Sequence, residues 1–262
     1  MNSRLQRSVP APVAYVPEPI FVFGSGMSRD YKEGTAAVAA QFYQAKLGVT
    51  MGENGDAYAI PFRSVDNKLL SVKALSEHVN DFMKFARAKP DKTFRISRIA
   101  CDRNGYTDKD IAPMFRAAPA NCALPALWQR ELGAADIARV LVYDPPIRLN
   151  SSRWREPFKA YLRLNMPLWG ASKCELLSIE SSRGASAIVE TAKQLGCPHR
   201  EIQANPQYYG ADQGGAAELL AVWHATQMVS ISGPRETVLP SHSRILRIAL
   251  RDGVTVDDLN LV

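Results

Sequence analysis

Apolar residues along this chain alternate between short uninterrupted runs and longer stretches with helical spacing. The clearest helical stretch of the first half is 71–88, in which apolar side chains recur every three or four positions. Short runs such as Ile20-Phe21-Val22-Phe23 are typical of buried strands. For the first half we predict strands at 20–23, 57–61 and 93–101, and helices at 34–47, 71–88 and 108–115.

The second half alternates more regularly. We predict strands at 139–143, 174–180, 200–204 and 227–232, and helices at 151–164, 184–195, 213–225 and 242–252. Strands that alternate with helices predict a sheet covered by helices, and these lengths fit a Rossmann-type parallel sheet. The expected fold class is α/β, with two three-layer domains in which a mixed sheet is followed by a Rossmann-like parallel sheet.

The content of proline and alanine divides the chain. Residues 1–19 contain four prolines and are predicted to form an extended arm, because proline lacks a backbone donor and disfavours helix before it. Such an arm is either a disordered tail or a strand that docks on a neighbour. We place the first domain at 20–118, an Ala- and Pro-rich linker with one terminal helix at 119–138, and the second domain at 139–262.

The composition is that of an ordinary globular protein, with 46% apolar and 22% charged residues, which excludes disordered, collagen-like and coiled-coil classes. No apolar run approaches the ~20 residues of a membrane span, so we expect a cytoplasmic protein without membrane association. The four cysteines are scattered without a C-x-x-C pair, which argues against a zinc site or a disulfide framework. The net charge of +6 is not gathered in a basic block, so nucleic acid is not an expected partner.

Ligands of open α/β sheets bind beyond the carboxyl ends of the strands, which directs attention to the loops that follow each predicted strand. The first such segment begins with Gly24, Ser25 and Gly26 and reaches Gly34, where glycines allow a phosphate to approach the backbone. A plain tight turn explains these residues equally well. The second segment, 101–106, offers Gly105 and the aromatic Tyr106, although an Asn-Gly turn is a serious alternative.

A third segment leads directly into a predicted helix. Ser181, Ser182, Arg183 and Gly184 combine two hydroxyls, a guanidinium and a helix start, which together suit a phosphate. Simple capping of the helix by a serine uses the same residue types.

Two further segments follow the last predicted strands. The segment 205–216 carries adjacent tyrosines and several glycines, a composition unusual for a mere connector. The segment 232–237 follows the last strong strand. The candidate binding residues in the two segments are Tyr208 or Tyr209, Gly210, Gly214, Gly215 and Gly233.

Sequence motifs of established catalytic sites are missing. The chain has no G-x-S-x-G, H-E-x-x-H, Walker or C-x-x-C motif, so we predict no metal and no cofactor and lean against an enzyme. Each of the four histidines is best explained as structural, and Cys101 as a buried, inert thiol. A hydrolase with Glu180 or Asp212 as acid or base ranks last, because no loop supplies a complete catalytic set.

Residues 20–115 resemble a phage-associated family related in fold to macro domains. The resemblance is carried by I-F-V-F-G-S at 20–25, G-T-A-A at 34–37, Y-A-I-P at 58–61, F-R-I-S-R-I-A-C at 94–101, G-Y-T-D at 105–108 and I-A-P-M-F at 111–115. It implies a macro-like mixed sheet and an ADP-ribose-like ligand. The chain departs from the family at Gly26, where an asparagine is usual, and has charged residues at 28–33 and 102–103 in place of glycine-rich loops. The resemblance therefore does not extend to ADP-ribosyl hydrolase activity.

The second half resembles the SLOG superfamily, the Rossmann-like fold of DprA-type and lysine-decarboxylase-like nucleotide binders. Ser182-Arg183-Gly184-Ala185 is similar to its Gly-x-Arg-Gly-Ala-Asp loop, with Ser186 in place of the aspartate. Residues 209–215 are similar to its Y-G-x-x-A-G segment, and Gly233 remains from its P-G-G-x-G-T loop. The segment 144–147 lacks the glycines usual in the first loop.

The two resemblances imply a phage or prophage protein that binds a nucleotide-derived, ADP-ribose-like ligand without turnover. Sequestration or sensing of such a ligand in the host cytoplasm, as a counter-defence, is the expected role. The alternative is a scaffold with degenerate pockets, which forms a homo-oligomer or joins a virion through protein contacts. The Pro-rich arm and the apparently exposed Trp154, Trp169 and Trp223 motivate that alternative.

Overall fold

The computed structural model describes residues 17–26, 34–101, 105–133, 136–143, 151–180, 185–232 and 243–260. These residues form two five-stranded sheets, which we call sheet A and sheet B in chain order. Sheet A is mixed and sheet B is entirely parallel, which confirms the α/β fold class predicted from the sequence. Among the described residues, no helix combines the length and apolar character that crossing a bilayer requires.

Sheet A has the strand order β2-β3-β1-β4-β5, in which β2 runs antiparallel to β3 and the other neighbours are parallel. Its strands are β1 Ile20–Gly26, β2 Gly52–Asn54, β3 Ala57–Arg63, β4 Phe94–Ile96 and β5 Cys122–Ala123. Its helices are α1 Gly34–Phe42, α2 Val72–Arg87, α3 Asp108–Ile111, a 3-10 helix at Ala112–Phe115 and α4 Ala126–Glu131.

Sheet B has the order β10-β9-β6-β7-β8. Its strands are β6 Ile137–Tyr143, β7 Lys173–Ile179, β8 His199–Ile202, β9 Gln227–Ser232 and β10 Thr255–Asn260. The helices are α5 Ser151–Asn165, α6 Ala185–Leu195, α7 Pro206–Tyr209, a 3-10 helix at Gly210–Asp212, α8 Gln213–His224 and α9 Arg244–Arg251. Strand β6, the first strand of sheet B along the chain, is central, and the strand order reverses between β6 and β9, as in a Rossmann-like sheet.

Three clusters of buried apolar residues show how the two sheets stack. One face of sheet A packs against α2, α3 and α4, and one face of sheet B packs against α5 and α6. The other faces of both sheets share a single cluster that also contains α1, α8 and α9. The two predicted domains are therefore joined by one core, while their exact boundaries stay a prediction.

The sequences of two helices explain their different positions. Helix α2 is amphipathic, and Ser71 caps its start by accepting a hydrogen bond from the Ala74 amide. Helix α8 buries seven of its twelve residues at nearly consecutive positions, so that apolar side chains occupy most of its circumference. A helix of that kind requires apolar neighbours on most sides, which the shared layer between the sheets provides.

Two of the predicted elements are shorter than their apolar patterns indicated. The prediction of a strand at 93–101 is wrong beyond Ile96, because the chain turns between Ser97 and Ile99, where the Ile99 amide donates to the Ser97 carbonyl, and Ala100 follows with a φ of +60°. The helix predicted at 34–47 ends at Phe42, because Gln44 adopts a φ of +55° that is incompatible with a helix.

The sequence patterns gave no sign of four short or peripheral elements, which are β2, β5, α7 and β10. Strand β5 lies within the segment 119–138 predicted as a linker, where it extends sheet A by pairing with β4. Strand β10 pairs in parallel with β9 and completes the second edge of sheet B. The other three elements, β2, β5 and α7, have only two to four residues and are too short for periodicity to reveal them.

The description of three tryptophans as exposed is wrong. Trp154 is buried against Phe158, with ring centroids 5.3 Å apart. Trp223 is half-buried, and its indole nitrogen donates a 2.7 Å hydrogen bond to the carbonyl of Ile96. Trp169 is half-buried against the cluster beneath α5 and α6. These side chains are used for internal packing, so they do not support a scaffold function.

Candidate functional site

The carboxyl edge of sheet B at β6 and β9 is the place where a Rossmann-like sheet binds its ligand. Tyr143 ends β6 and lies in register with Ser230 of β9. The predicted binding residues in the loops after β7 and β9 lie outside the described residues: Ser181, Ser182, Arg183, Gly184 and Gly233. The described part of the edge comprises the strand ends and the first turns of α8 and α9.

Arg244 lies across the first turn of α8. Its Nε donates to a carboxylate oxygen of Glu218, which holds the guanidinium in place. A Cβ atom on Gly215 would come within 2.9 Å of Arg244 Nη1, so this glycine permits the close approach. The Arg244 side chain is 52% exposed, which leaves part of its guanidinium open to an anion. The first turn of α8 adds the partial positive charge of a helix start.

Tyr143 lies on the same side of sheet B as Glu218 and Arg244. Burial raises the pKa of its hydroxyl, with a further increase from Glu218 and an opposing effect of Arg244. The hydroxyl therefore stays protonated at neutral pH and can donate a hydrogen bond.

The hydroxyl of Ser230 has no hydrogen-bond partner among the described residues. Its side chain is fully buried, and its Oγ makes no hydrogen bond to any described residue. Because Ser230 is paired in register with Tyr143 in parallel strands, both side chains lie on the same face of sheet B. A buried hydroxyl without a partner is unfavourable and requires an explanation, of which a ligand group at the strand ends is one.

The two tyrosines predicted to contact a ligand base are directed towards sheet A. Tyr209 is buried, and its hydroxyl lies 2.7 Å from Glu18 and 3.0 Å from the hydroxyl of Tyr43. The Tyr208 hydroxyl donates to Asp56 at 2.8 Å. Burial is the main cause of the raised pKa of both tyrosines. Both hydroxyls are therefore occupied by protein groups that join the two halves of the chain.

The glycines predicted to form the first ligand loop belong to a strand. Gly24, Ser25 and Gly26 are the last residues of β1, so their assignment to a loop is wrong. A Cβ on Gly24 would come within 3.1 Å of the Phe62 ring, which gives this glycine a packing role. Ser25 is fully buried, and its hydroxyl donates to the carbonyl of Thr50.

The remaining predicted residues lie at several separate positions. Gly34 begins α1 with a φ of +66°, and Gly210 ends α7 with a φ of +51°. Gly105 lies beside Tyr106, whose hydroxyl donates to the carbonyl of Leu70. Gly214 and Gly215 form the first turn of α8 at the carboxyl edge of sheet B.

Sequence reasoning missed Arg244, Glu218, Tyr143 and Ser230. Arg244 and Glu218 are separated along the chain, and neither belongs to a recognised motif. The available signal was weak: a basic residue near the start of a predicted helix and paired glycines at the start of another. Among the described residues, no group of three or more histidine, cysteine, aspartate or glutamate side chains is arranged to hold a metal ion.

Comparison with known proteins adds no further assignment. No model of a known protein family matches the chain, and no curated protein matches its sequence.

Proposed function

We propose that this protein binds a nucleotide-derived anion of the ADP-ribose class at the carboxyl edge of sheet B and does not turn it over. The observation that carries the proposal is the placement of Arg244 against Gly215 beside the point where the strand order reverses. That position unites a guanidinium, a helix start and the preferred ligand crevice of the fold.

The phosphate groups would bind at Arg244 and the first turn of α8. An arginine forms two parallel hydrogen bonds to a phosphate, and Glu218 keeps this arginine oriented while part of it stays exposed. The resemblance of residues 182–185 to a nucleotide-binding loop supports the same ligand class. Arg183 is expected to supply a second guanidinium.

Tyr143 and Ser230 supply neutral hydrogen-bonding groups beside this charge. The Tyr143 hydroxyl donates, and the Ser230 hydroxyl, which has no partner within the described part of the chain, either donates or accepts. Such groups suit the hydroxyls of a ribose. The pairing of basic and neutral polar groups favours a nucleotide over a bare phosphate.

Binding is tested by titration calorimetry on the full chain with ADP-ribose, NAD and inorganic phosphate. We expect a Kd below about 1 mM for ADP-ribose and weaker binding of phosphate. Arg244→Ala should weaken ADP-ribose at least about tenfold, which corresponds to the loss of one charge-assisted contact. Arg247→Ala removes an equal charge one turn along α9 and should retain the wild-type affinity.

The absence of binding by the full chain would contradict the proposal. Equal affinities of the Arg244 and Arg247 variants would place the ligand elsewhere. The resemblances further suggest that the role of binding is sequestration of NAD-derived signals in the cytoplasm of a phage host. Native mass spectrometry of protein purified without denaturation tests that role, since a retained nucleotide-sized adduct is the expected result.

A further inference from the structure

A cavity of about 790 Å³ lies at the amino edge of sheet B, opposite the carboxyl edge that carries the proposed nucleotide site. It is lined by the beginnings of β6, β7 and β8 and by the ends of α5 and α6. Its volume lies within the range of small-molecule sites. Both apolar and charged side chains line it, and it contains two of the four cysteines, Cys174 and Cys197.

The strand register places these two cysteines side by side. Leu176 of β7 pairs with His199 of β8, and the Leu176 amide donates to the Pro198 carbonyl at 2.9 Å. Cys174 lies two residues before Leu176 and Cys197 lies two residues before His199, so the pairing of β7 with β8 brings both cysteines to the wall of the same cavity. Neighbouring strands lie about 4.8 Å apart, which is within the range of Cα separations that a disulfide spans.

The charges around the cavity favour an anionic ligand. Glu175 accepts hydrogen bonds from Arg139 at 3.2 Å and from Arg200 at 2.6 Å. One carboxylate therefore faces two guanidinium groups, and Lys173 adds a further positive charge to the lining. A concave surface with an excess of one charge concentrates ligands of the opposite charge.

We propose that Cys174 and Cys197 form a dithiol that is oxidised by small anionic disulfides of the glutathione disulfide class, which enter through this cavity. The Cys197 thiolate attacks one sulfur of the incoming disulfide, whose S–S bond breaks and releases one thiolate. Cys174 then loses its proton and attacks Cys197 Sγ, which releases the second small thiol. One disulfide is reduced to two thiols while the protein dithiol becomes an internal disulfide.

The surroundings of the two sulfurs assign the order of attack. Cys197 is half-buried, and its interaction with the neighbouring Cys174 thiol lowers its pKa. Cys174 is buried, and the interaction with Cys197 together with burial raises its pKa. A thiolate is the reactive form, so the more accessible Cys197 is the attacking group.

The test incubates the full chain with glutathione disulfide, quenches with acid and alkylates the remaining thiols before peptide mapping. We expect the chain to lose two hydrogen atoms, a disulfide between Cys174 and Cys197, and alkylation of Cys101 and Cys122. In Cys174→Ser a mixed disulfide with glutathione should accumulate at Cys197. In Cys197→Ser the buried Cys174 should remain a thiol.

Matched variants separate this site from general oxidation. Cys122→Ser removes a half-buried cysteine outside the cavity and should leave the disulfide unchanged. Lys173→Gln should slow oxidation by glutathione disulfide about twofold to tenfold, and should not slow oxidation by neutral bis(2-hydroxyethyl) disulfide. Alkylation of both Cys174 and Cys197 in the treated wild-type chain would overturn the proposal. A mixed disulfide that persists in that chain would overturn it as well.

Discussion

The hydroxyl of Tyr209 lies 2.7 Å from a carboxylate oxygen of Glu18, although 191 residues separate the two along the chain. The same carboxylate oxygen accepts a 2.6 Å hydrogen bond from Arg95, and Arg95 also donates to the Tyr43 hydroxyl at 3.0 Å. The Tyr43 hydroxyl in turn lies 3.0 Å from that of Tyr209. Residues from both halves of the chain thus form one hydrogen-bonded network, in which loss of one member leaves others without a partner.

We predict that Tyr209→Phe lowers the free energy of unfolding by about 1–3 kcal/mol, because the buried Tyr43 and the partly buried Glu18 each lose a hydrogen-bond partner. Tyr208→Phe is the matched control. The Tyr208 hydroxyl makes one hydrogen bond, to Asp56, and the side chain is half-buried, so a loss of about 0.5–1.5 kcal/mol is expected. Urea unfolding of both variants measures the difference. Equal losses would show that the network contributes no more to stability than the single Tyr208–Asp56 hydrogen bond does.

Trp223 makes a second connection between the halves. Its indole nitrogen donates to the Ile96 carbonyl at 2.7 Å, and the Arg95 guanidinium lies 6.0 Å from its ring. We predict that Trp223→Phe costs about 1–3 kcal/mol, since the Ile96 carbonyl is left without this donor and ring area is lost. Trp169→Phe is the control, because Trp169 packs against the cluster between sheet B and helices α5 and α6, and its replacement should leave sheet A unaffected. Hydrogen exchange at β4 distinguishes the two, because opening there is expected in the Trp223 variant alone.

The amino-acid pattern predicted those elements well whose apolar residues follow a regular helical period or a short continuous run. Helix α2 was predicted to within about a residue, because its apolar period is regular and Ser71 is a strong N-cap. Strand β9 was predicted at its observed bounds, because its buried residues form a short, mainly apolar run. Short β2 and β5 depend on pairing with a neighbour, which a local pattern does not contain.

The candidate site was less accessible to sequence reasoning. Contacts such as Arg244 with Gly215 arise when α8 and α9 pack side by side, and no motif marks them. Tyr209 was selected because aromatic side chains suit nucleotide bases, whereas the fold turns its hydroxyl towards Glu18. The mostly apolar circumference of α8 was the one available sign that a second sheet covers it.

His224 should make stability depend on pH. Burial, and then the charges of Arg200, Arg95 and Arg139, lowers its pKa to about 3 in the folded chain from 6.5. Between these two values the unfolded chain binds more protons than the folded one, so stability is lost as the pH falls through this window. The loss is at most about 1.4 kcal/mol for each pH unit.

The contribution of His224 is measured by comparing the chain with His224→Gln in urea at about pH 7 and about pH 4.5. The substitution removes the titrating group and should flatten the dependence on pH, whatever it does to stability at pH 7. Carboxylates that titrate in the same range affect both proteins alike. Parallel curves for the two proteins would show that His224 is protonated as easily in the folded chain as in the unfolded one.

The two glycines of α8 provide a matched pair that tests the placement of Arg244. Gly214→Ala meets its nearest heavy atom, Arg244 Nη2, at 4.0 Å, so it should stabilise the helix by about 0.4–1 kcal/mol. A Cβ at Gly215 would lie 2.9 Å from Arg244 Nη1 and 3.3 Å from the Phe42 ring. Gly215→Ala should therefore be less stable than Gly214→Ala by about 1 kcal/mol or more, because the Phe42 ring and the guanidinium must give way to the new methyl group.

A double-mutant cycle in urea separates the contribution of Arg244 from that of Phe42. Arg244→Ala alone removes an exposed ion pair with Glu218 and should cost no more than about 1 kcal/mol. In the Gly215→Ala background the same substitution should recover part of the lost stability, because the guanidinium no longer meets the new methyl group. The part of the unfolding free energy that is not recovered measures the effect of the contact between the new methyl group and the Phe42 ring. If both glycine variants stabilise the chain equally, Arg244 does not lie against α8, and the proposed phosphate site loses its main support.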